Sequence, residues 1–113
     1  MLENIGASVE RYMTLLSARQ KLVASNIANA DTPGYQTKDI DFRGEFENQI
    51  SAFDPAAVEV SGLKTKNDGN NVDMDREARL LAENALRFNV AASLARSEIQ
   101  MLKDAIQGGG NSQ

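Results

Sequence analysis

The stretch LAENALRFNVAASLARSEIQMLKDAI, residues 81–106, decides the fold. Leu81, Ala85, Phe88, Ala92, Ala95, Ile99, Leu102 and Ile106 step by four and three without a break. That spacing lays them along one stripe of an α-helix, as in a coiled-coil seam. A second seam opens the chain: Ile5, Val9, Tyr12, Leu16, Val23 and Ile27, with Arg19 as its one polar interruption. A helix with an apolar stripe needs a surface to cover it. The seams cover each other or they cover neighbouring copies, and that alternative bears directly on function.

Working outward, the first helix is expected within residues 1–30, about 40 Å long. It stops at Asn29-Ala30-Asp31-Thr32-Pro33-Gly34, where Pro33 biases Thr32 away from helical angles and Gly34 suits the left-handed position of a turn. The second helix is expected over residues 73–107, capped by Asp73, with Asp75 and Glu77 favouring the positive end of its dipole. Gly108-Gly109-Gly110 reads as its stop, leaving residues 108–113 as a flexible tail. Between the helices, residues 31–72 read as the turn and an extended loop with at most two short strands. Val58 and Val60 alternate with polar neighbours, and Asp68-Gly69-Asn70-Asn71 suits a hairpin turn between residues 58–63 and a strand near Val72. The expected fold is all-α: two long terminal helices pairing as an antiparallel helical hairpin, joined by a long loop with at most a short β-hairpin.

Composition narrows the function. Aromatics make up 5% of the 113 residues and Trp is absent, so the core is thin and the isolated monomer is expected to be marginal. Net charge is −4. Residues 31–79 hold eleven acids against six bases, so the excess lies in the middle. No basic patch meets phosphate, which argues against nucleic-acid binding. No apolar run approaches the roughly 20 residues that span a bilayer, and the N-terminus lacks the pattern of a Sec-type signal.

Catalytic chemistry finds little support. His and Cys are both absent, removing the usual general base and thiolate. Acid pairs at Asp39/Asp41 and Asp73/Asp75 read as solvated turns and caps. A calcium loop starting at Asp68 would need an oxygen ligand at its fifth position and Gly at its sixth, where Val72 and Asp73 stand. No catalytic residue, cofactor or metal ligand is expected.

The segment ASNIANADTPGY, residues 24–35, is the sharpest local signal. Asn26 and Asn29 sit in the last helical turn, where amides bond free carbonyls or neighbouring chains. Asp31 and Thr32 bond turn amides. Tyr35 supplies a ring with a polar tip, common at interfaces. A well-made helix stop with no further role explains the same residues equally well. Phe42 and Phe46, isolated in a charged background, are candidate anchors onto a neighbour.

The run SNIANADTPGY resembles the N-terminal signature of bacterial flagellar rod, hook and related axial proteins. The flanking LLSARQK (residues 15–21) and KDIDF (38–42), with DGNNVDMDRE (68–77) and AENALRF (82–88), are similar to the proximal rod type in particular. These segments bracket the loop and span most of the chain, which is short for the family. The resemblance implies terminal helices paired as a coiled coil and packed, in many copies, into the wall of a hollow drive shaft that transmits torque and encloses the export channel. It implies export by the flagellar type III system to the periplasmic rod. The implied partners are further copies of the chain, other rod proteins, the adaptor FliE, the export gate and the inner-membrane ring. On that reading Asn26, Asn29, Asp31, Thr32, Pro33, Gly34 and Tyr35 form the turn and its subunit contacts. The alternatives are another axial paralogue, or a soluble helical adaptor or secretion chaperone.

Overall fold

The structure, a computed structural model, describes residues 2–48 and 55–111. Helix α1 spans Leu2–Ala28, strand β1 Lys38–Ile40, helix α2 Phe42–Asn48, strand β2 Ala57–Glu59 and helix α3 Met74–Asn111. Helices α1 and α3 run antiparallel along a body of 74 × 25 × 17 Å. The helical hairpin expected from the seams is therefore the fold. At 38 residues against 27, α3 outreaches α1 by about 16 Å.

The core is small. Leu15, Leu16 and Val23 of α1 meet Leu80 and Ala91 of α3, with Ile40 of β1 closing one flank. Each fully buried aliphatic side chain contributes about 1.5–3 kcal/mol, so few residues hold the hairpin.

The rotation of α3 differs from the seam read in the sequence. Its inward line runs through Glu77, Leu80, Asn84 and Ala91. At 100° per residue, the expected stripe is turned away from that line by roughly 60°. Phe88, Ala92 and Ala95 are half-buried, whereas Leu81, Ala85, Ile99, Leu102 and Ile106 are exposed. On α1 the inward line takes Asn26 fully, leaving Ile27 half-buried and Ile5 exposed. Two buried polar residues on α3 set this rotation. Glu77 meets Asn26, and Asn84 Nδ2 donates to Leu16 O at 2.8 Å and to Gln20 Oε1 at 3.0 Å.

Among the described residues, the linker holds two short strands, as expected, but with a different pairing and an added short helix. Strand β1 pairs antiparallel with β2, Asp39 opposite Val58. The Asp68-Gly69 turn closes no hairpin with a strand at Val72. A short helix, α2, intervenes because Asp41 caps it, its Oδ1 accepting the Gly44 N–H at 3.2 Å. Phe42 and Phe46, one turn apart on α2, then stack edge-on against Tyr12, with ring centroids 5.4 and 6.1 Å away.

At the far end, α3 continues to Asn111, past the stop expected after Gln107. Gly108 is helical rather than left-handed, so it supplies no C-cap. Residues 112 and 113 of the expected tail lie outside the described residues.

Candidate functional site

The two sequence signatures fold into one knot at the α1–α3 turn. Asn26 is fully buried and uses its whole amide. Its Nδ2 donates to Lys38 O and to Glu77 Oε1, both at 2.8 Å. Its Oδ1 accepts from Tyr35 OH at 2.9 Å and from Lys38 N at 3.1 Å. One side chain thereby ties the end of α1 to β1, to the Tyr35 ring and to the first turn of α3. All four bonds stay within the chain, so Asn26 and Tyr35 hold the turn together.

An ion network backs this joint. Arg76 donates from Nη1 to Glu77 Oε2 at 2.6 Å and from Nη2 to Asp39 Oδ2 at 2.7 Å. Arg19 grips the same carboxylate through Nε at 3.0 Å and Nη2 at 2.8 Å. The polar interruption in the first seam is thus a bidentate clamp. Burial by itself would raise the Asp39 pKa. The Arg19 hydrogen bond, the Ile40 N–H and the charges of Arg19 and Arg76 outweigh burial and hold it below the ordinary carboxylate value.

The Asp68–Asn71 turn docks onto the Thr32–Gly34 turn. Asn70, fully buried, donates from Nδ2 to Asn29 O and Thr32 O, each at 2.8 Å. Its Oδ1 accepts from Val72 N at 2.9 Å. Gly34 N donates to Asp68 O at 2.8 Å. Asn71 Oδ1 receives Thr37 N at 2.7 Å and Thr37 Oγ1 at 2.8 Å. Gly34 and Gly69 have φ of 76° and 86°, and a Cβ on Gly69 would stand 3.3 Å from Gly34 Cα. Glycine suits both the left-handed angle and the close approach. Asn29 donates to Ser25 O at 2.9 Å and accepts from Thr32 Oγ1 at 3.0 Å. Asp31, Thr32, Pro33 and Gly34 form an exposed crest above the knot.

Sequence reasoning singled out the crest and the asparagines near it. It did not single out Arg19, Thr37, Asp39, Asn70, Asn71, Arg76, Glu77 or Asn84 as site residues. The available signal was the polar residue at an inward position: Arg19 in the first seam, and Glu77 and Asn84 seven apart in α3. Phe42 and Phe46 face Tyr12 of the same chain. Asp39 and Glu77 are both held in ion pairs or amide bonds, an arrangement that fixes geometry rather than moves protons.

Away from the knot, α3 carries its apolar residues outward. Leu86, Val90, Leu94 and Met101 are 53–66% exposed, Ile99 is 56% and Ile106 is 74%. Single exposed aliphatics are ordinary, but a helix lined with them marks an interaction surface. No helix among the described residues is long and apolar enough to cross a membrane.

A rigid joint carrying a long helix with unsatisfied apolar faces defines a structural assembly subunit. The family profile described as flagella basal body rod protein matches residues 13–36, the last half of α1 and its turn. Flagellar basal body rod protein FlgB of Salmonella typhimurium is 31% identical over 137 aligned positions, covering 96% of this chain and 99% of the relative. The FlgB of Proteus mirabilis is 30% identical, covering 96% and 97%. That of Borreliella burgdorferi is 28% identical, covering 74% and 82%. The chain belongs to the flagellar basal body rod protein family, among the FlgB-type members: a structural subunit of the rod that associates with other basal-body components, and not an enzyme.

Proposed function

We propose that the chain builds the proximal, periplasmic part of the rod after passing through the flagellar type III export apparatus. There it packs against further copies of itself and other rod proteins, beside the adaptor FliE, the export gate and the inner-membrane ring. In this reading residues 1–30 and 73–107 form the wall of the tube, and residues 31–72 brace it. The exposed crest Asp31, Thr32, Pro33 and Gly34, together with the outward residues of the α3 seam, makes the contacts between subunits.

The observation that carries this reading is the run of exposed aliphatics along α3 beyond a joint whose polar groups are satisfied. The joint fixes the angle of the hairpin, and the uncovered faces remain for neighbours. Packing, not chemistry, is then the mechanism.

The test is incorporation of an epitope-tagged chain into purified basal bodies, with a photo-cross-linking residue placed at Asp31. Recovery with the rod, cross-linked to the adaptor or to another rod protein, is the expected result. A chain that stays in the cytoplasm as a free stoichiometric dimer would instead be an adaptor or chaperone.

A further inference from the structure

The hairpin has two different apolar sides. On one side, α1 and α3 part to leave a groove of about 570 Å³, lined by Gly6, Val9, Met13, Phe88, Ala95 and Leu102. Two carboxylates, Glu10 and Glu98, line it too, and no cation does among the described residues. Gly6 opens this space: a Cβ there would stand 2.8 Å from Glu98 Oε1. On the other side of α3, roughly 140° around the helix, Leu86, Val90 and Leu94 stand out as a ridge one turn apart. Arg79 and Arg87 flank the base of that ridge, with Glu83 between them at 3.1 and 3.8 Å. The ridge therefore carries one surplus positive charge where the groove carries negative charge.

We infer that the groove of one copy receives the α3 ridge of a second copy. The inference rests on the rod assignment and names its contact. Leu86, Val90 and Leu94 fill the space over Gly6, Met13 and Ala95, and Arg87 meets the carboxylate of Glu98. Because groove and ridge are different surfaces on opposite sides of one molecule, the contact is heterologous. It repeats from copy to copy as a ring or an open helical array, rather than closing as a two-fold dimer. The charge pairs at its edge fix register and exclude ridge-to-ridge pairing, which would oppose like charges.

The chain has no cysteine, so introduced cysteines report the contact without background. Met13→Cys and Val90→Cys are expressed together in flagellated cells lacking the unsubstituted chain, and purified basal bodies are oxidised. The expected product joins one variant to the other and is absent when either is expressed alone. A dimer of the Val90→Cys variant with itself, a bond from it to a different rod protein, or no bond with both variants in basal bodies overturns the inference and leaves the rod assignment standing. Where the cysteines block incorporation, a charge exchange decides. Glu98→Arg and Arg87→Glu each lower incorporation about tenfold, and the two together in one chain restore it. Failure of the double variant to restore incorporation overturns the contact. Absence of the unsubstituted chain from basal bodies contradicts the rod assignment instead.

Discussion

Asn26 and Glu77 lie 51 positions apart in the chain, yet both are fully buried and joined Nδ2 to Oε1 at 2.8 Å. This bond fixes where α3 starts relative to where α1 ends. Replacing Asn26 with Leu removes four hydrogen bonds and leaves buried polar groups unpaired, each costing about 1–3 kcal/mol. The urea midpoint is expected to fall by an amount equivalent to about 3 kcal/mol. Asn26→Asp is expected to be as damaging, because it sets a carboxylate against Glu77. An unchanged midpoint in either variant contradicts the role given to this amide.

Asp39 makes stability depend on pH. Its folded pKa lies below the unfolded value, which is about 3.9. Its contribution is therefore fully present above the unfolded pKa and is lost as pH falls through the folded one. Stability should be level near neutrality and decline on acidification. Asp39→Asn should flatten part of that decline and, by leaving Arg19 and Arg76 without their carboxylate, cost about 2–3 kcal/mol at neutral pH. Denaturation curves at several pH values check both effects. An equal acid slope in the variant would remove Asp39 from the network's energetics.

Gly69 and Gly62 have similar φ, 86° and 81°, but a Cβ meets Gly34 Cα at 3.3 Å only at Gly69, and nothing within 4 Å at Gly62. Alanine at Gly62 should cost about 1 kcal/mol from the left-handed angle alone. Alanine at Gly69 should cost more, because the two turns must also separate. Equal losses in thermal unfolding would mean that the turns are not tightly docked in solution.

Order should decline along the hairpin away from the knot. In the isolated chain, residues 101–108 of α3 are all exposed, and a helical end without packing frays. Amides near Val23, Asn26 and Glu77 should exchange slowest with solvent, and those beyond Ile99 fastest. Uniform protection along α3 would show that it needs no neighbour to stay helical.

Much of this fold is legible in the sequence, because helices repeat their apolar residues locally and α1 ends at Ala28, just before the turn that holds Pro33 and Gly34. The rotation of α3 is not legible from apolar periodicity. Its partner-facing line is set by Glu77 and Asn84, polar residues whose inward placement depends on Asn26 and the Leu16 carbonyl, 51 and 68 positions away. The α3 stripe read as the internal seam largely lines the open flank, and only Phe88, Ala92 and Ala95 are half-buried. Arg19 looked like a defect in the first seam, and only the fold brings Asp39 to it. The pairing of the short strands is illegible for the same reason. Three-residue strands have too short a pattern to name their partners, and β1 meets β2 across α2. Asn26 stood out in the sequence as a helix-end amide, but its inward direction became visible only with Lys38 and Glu77 in place.

The most direct test is Ile99→Asp, at a position 56% exposed in the single chain. The substitution touches no hydrogen bond of the knot, so the purified chain should keep its circular dichroism and unfolding midpoint. Basal bodies from cells carrying only this variant should contain none of the chain, and the cells should not swim. A normally folded variant that enters basal bodies and supports normal swimming would contradict the claim that the outward face of α3 is reserved for neighbouring subunits.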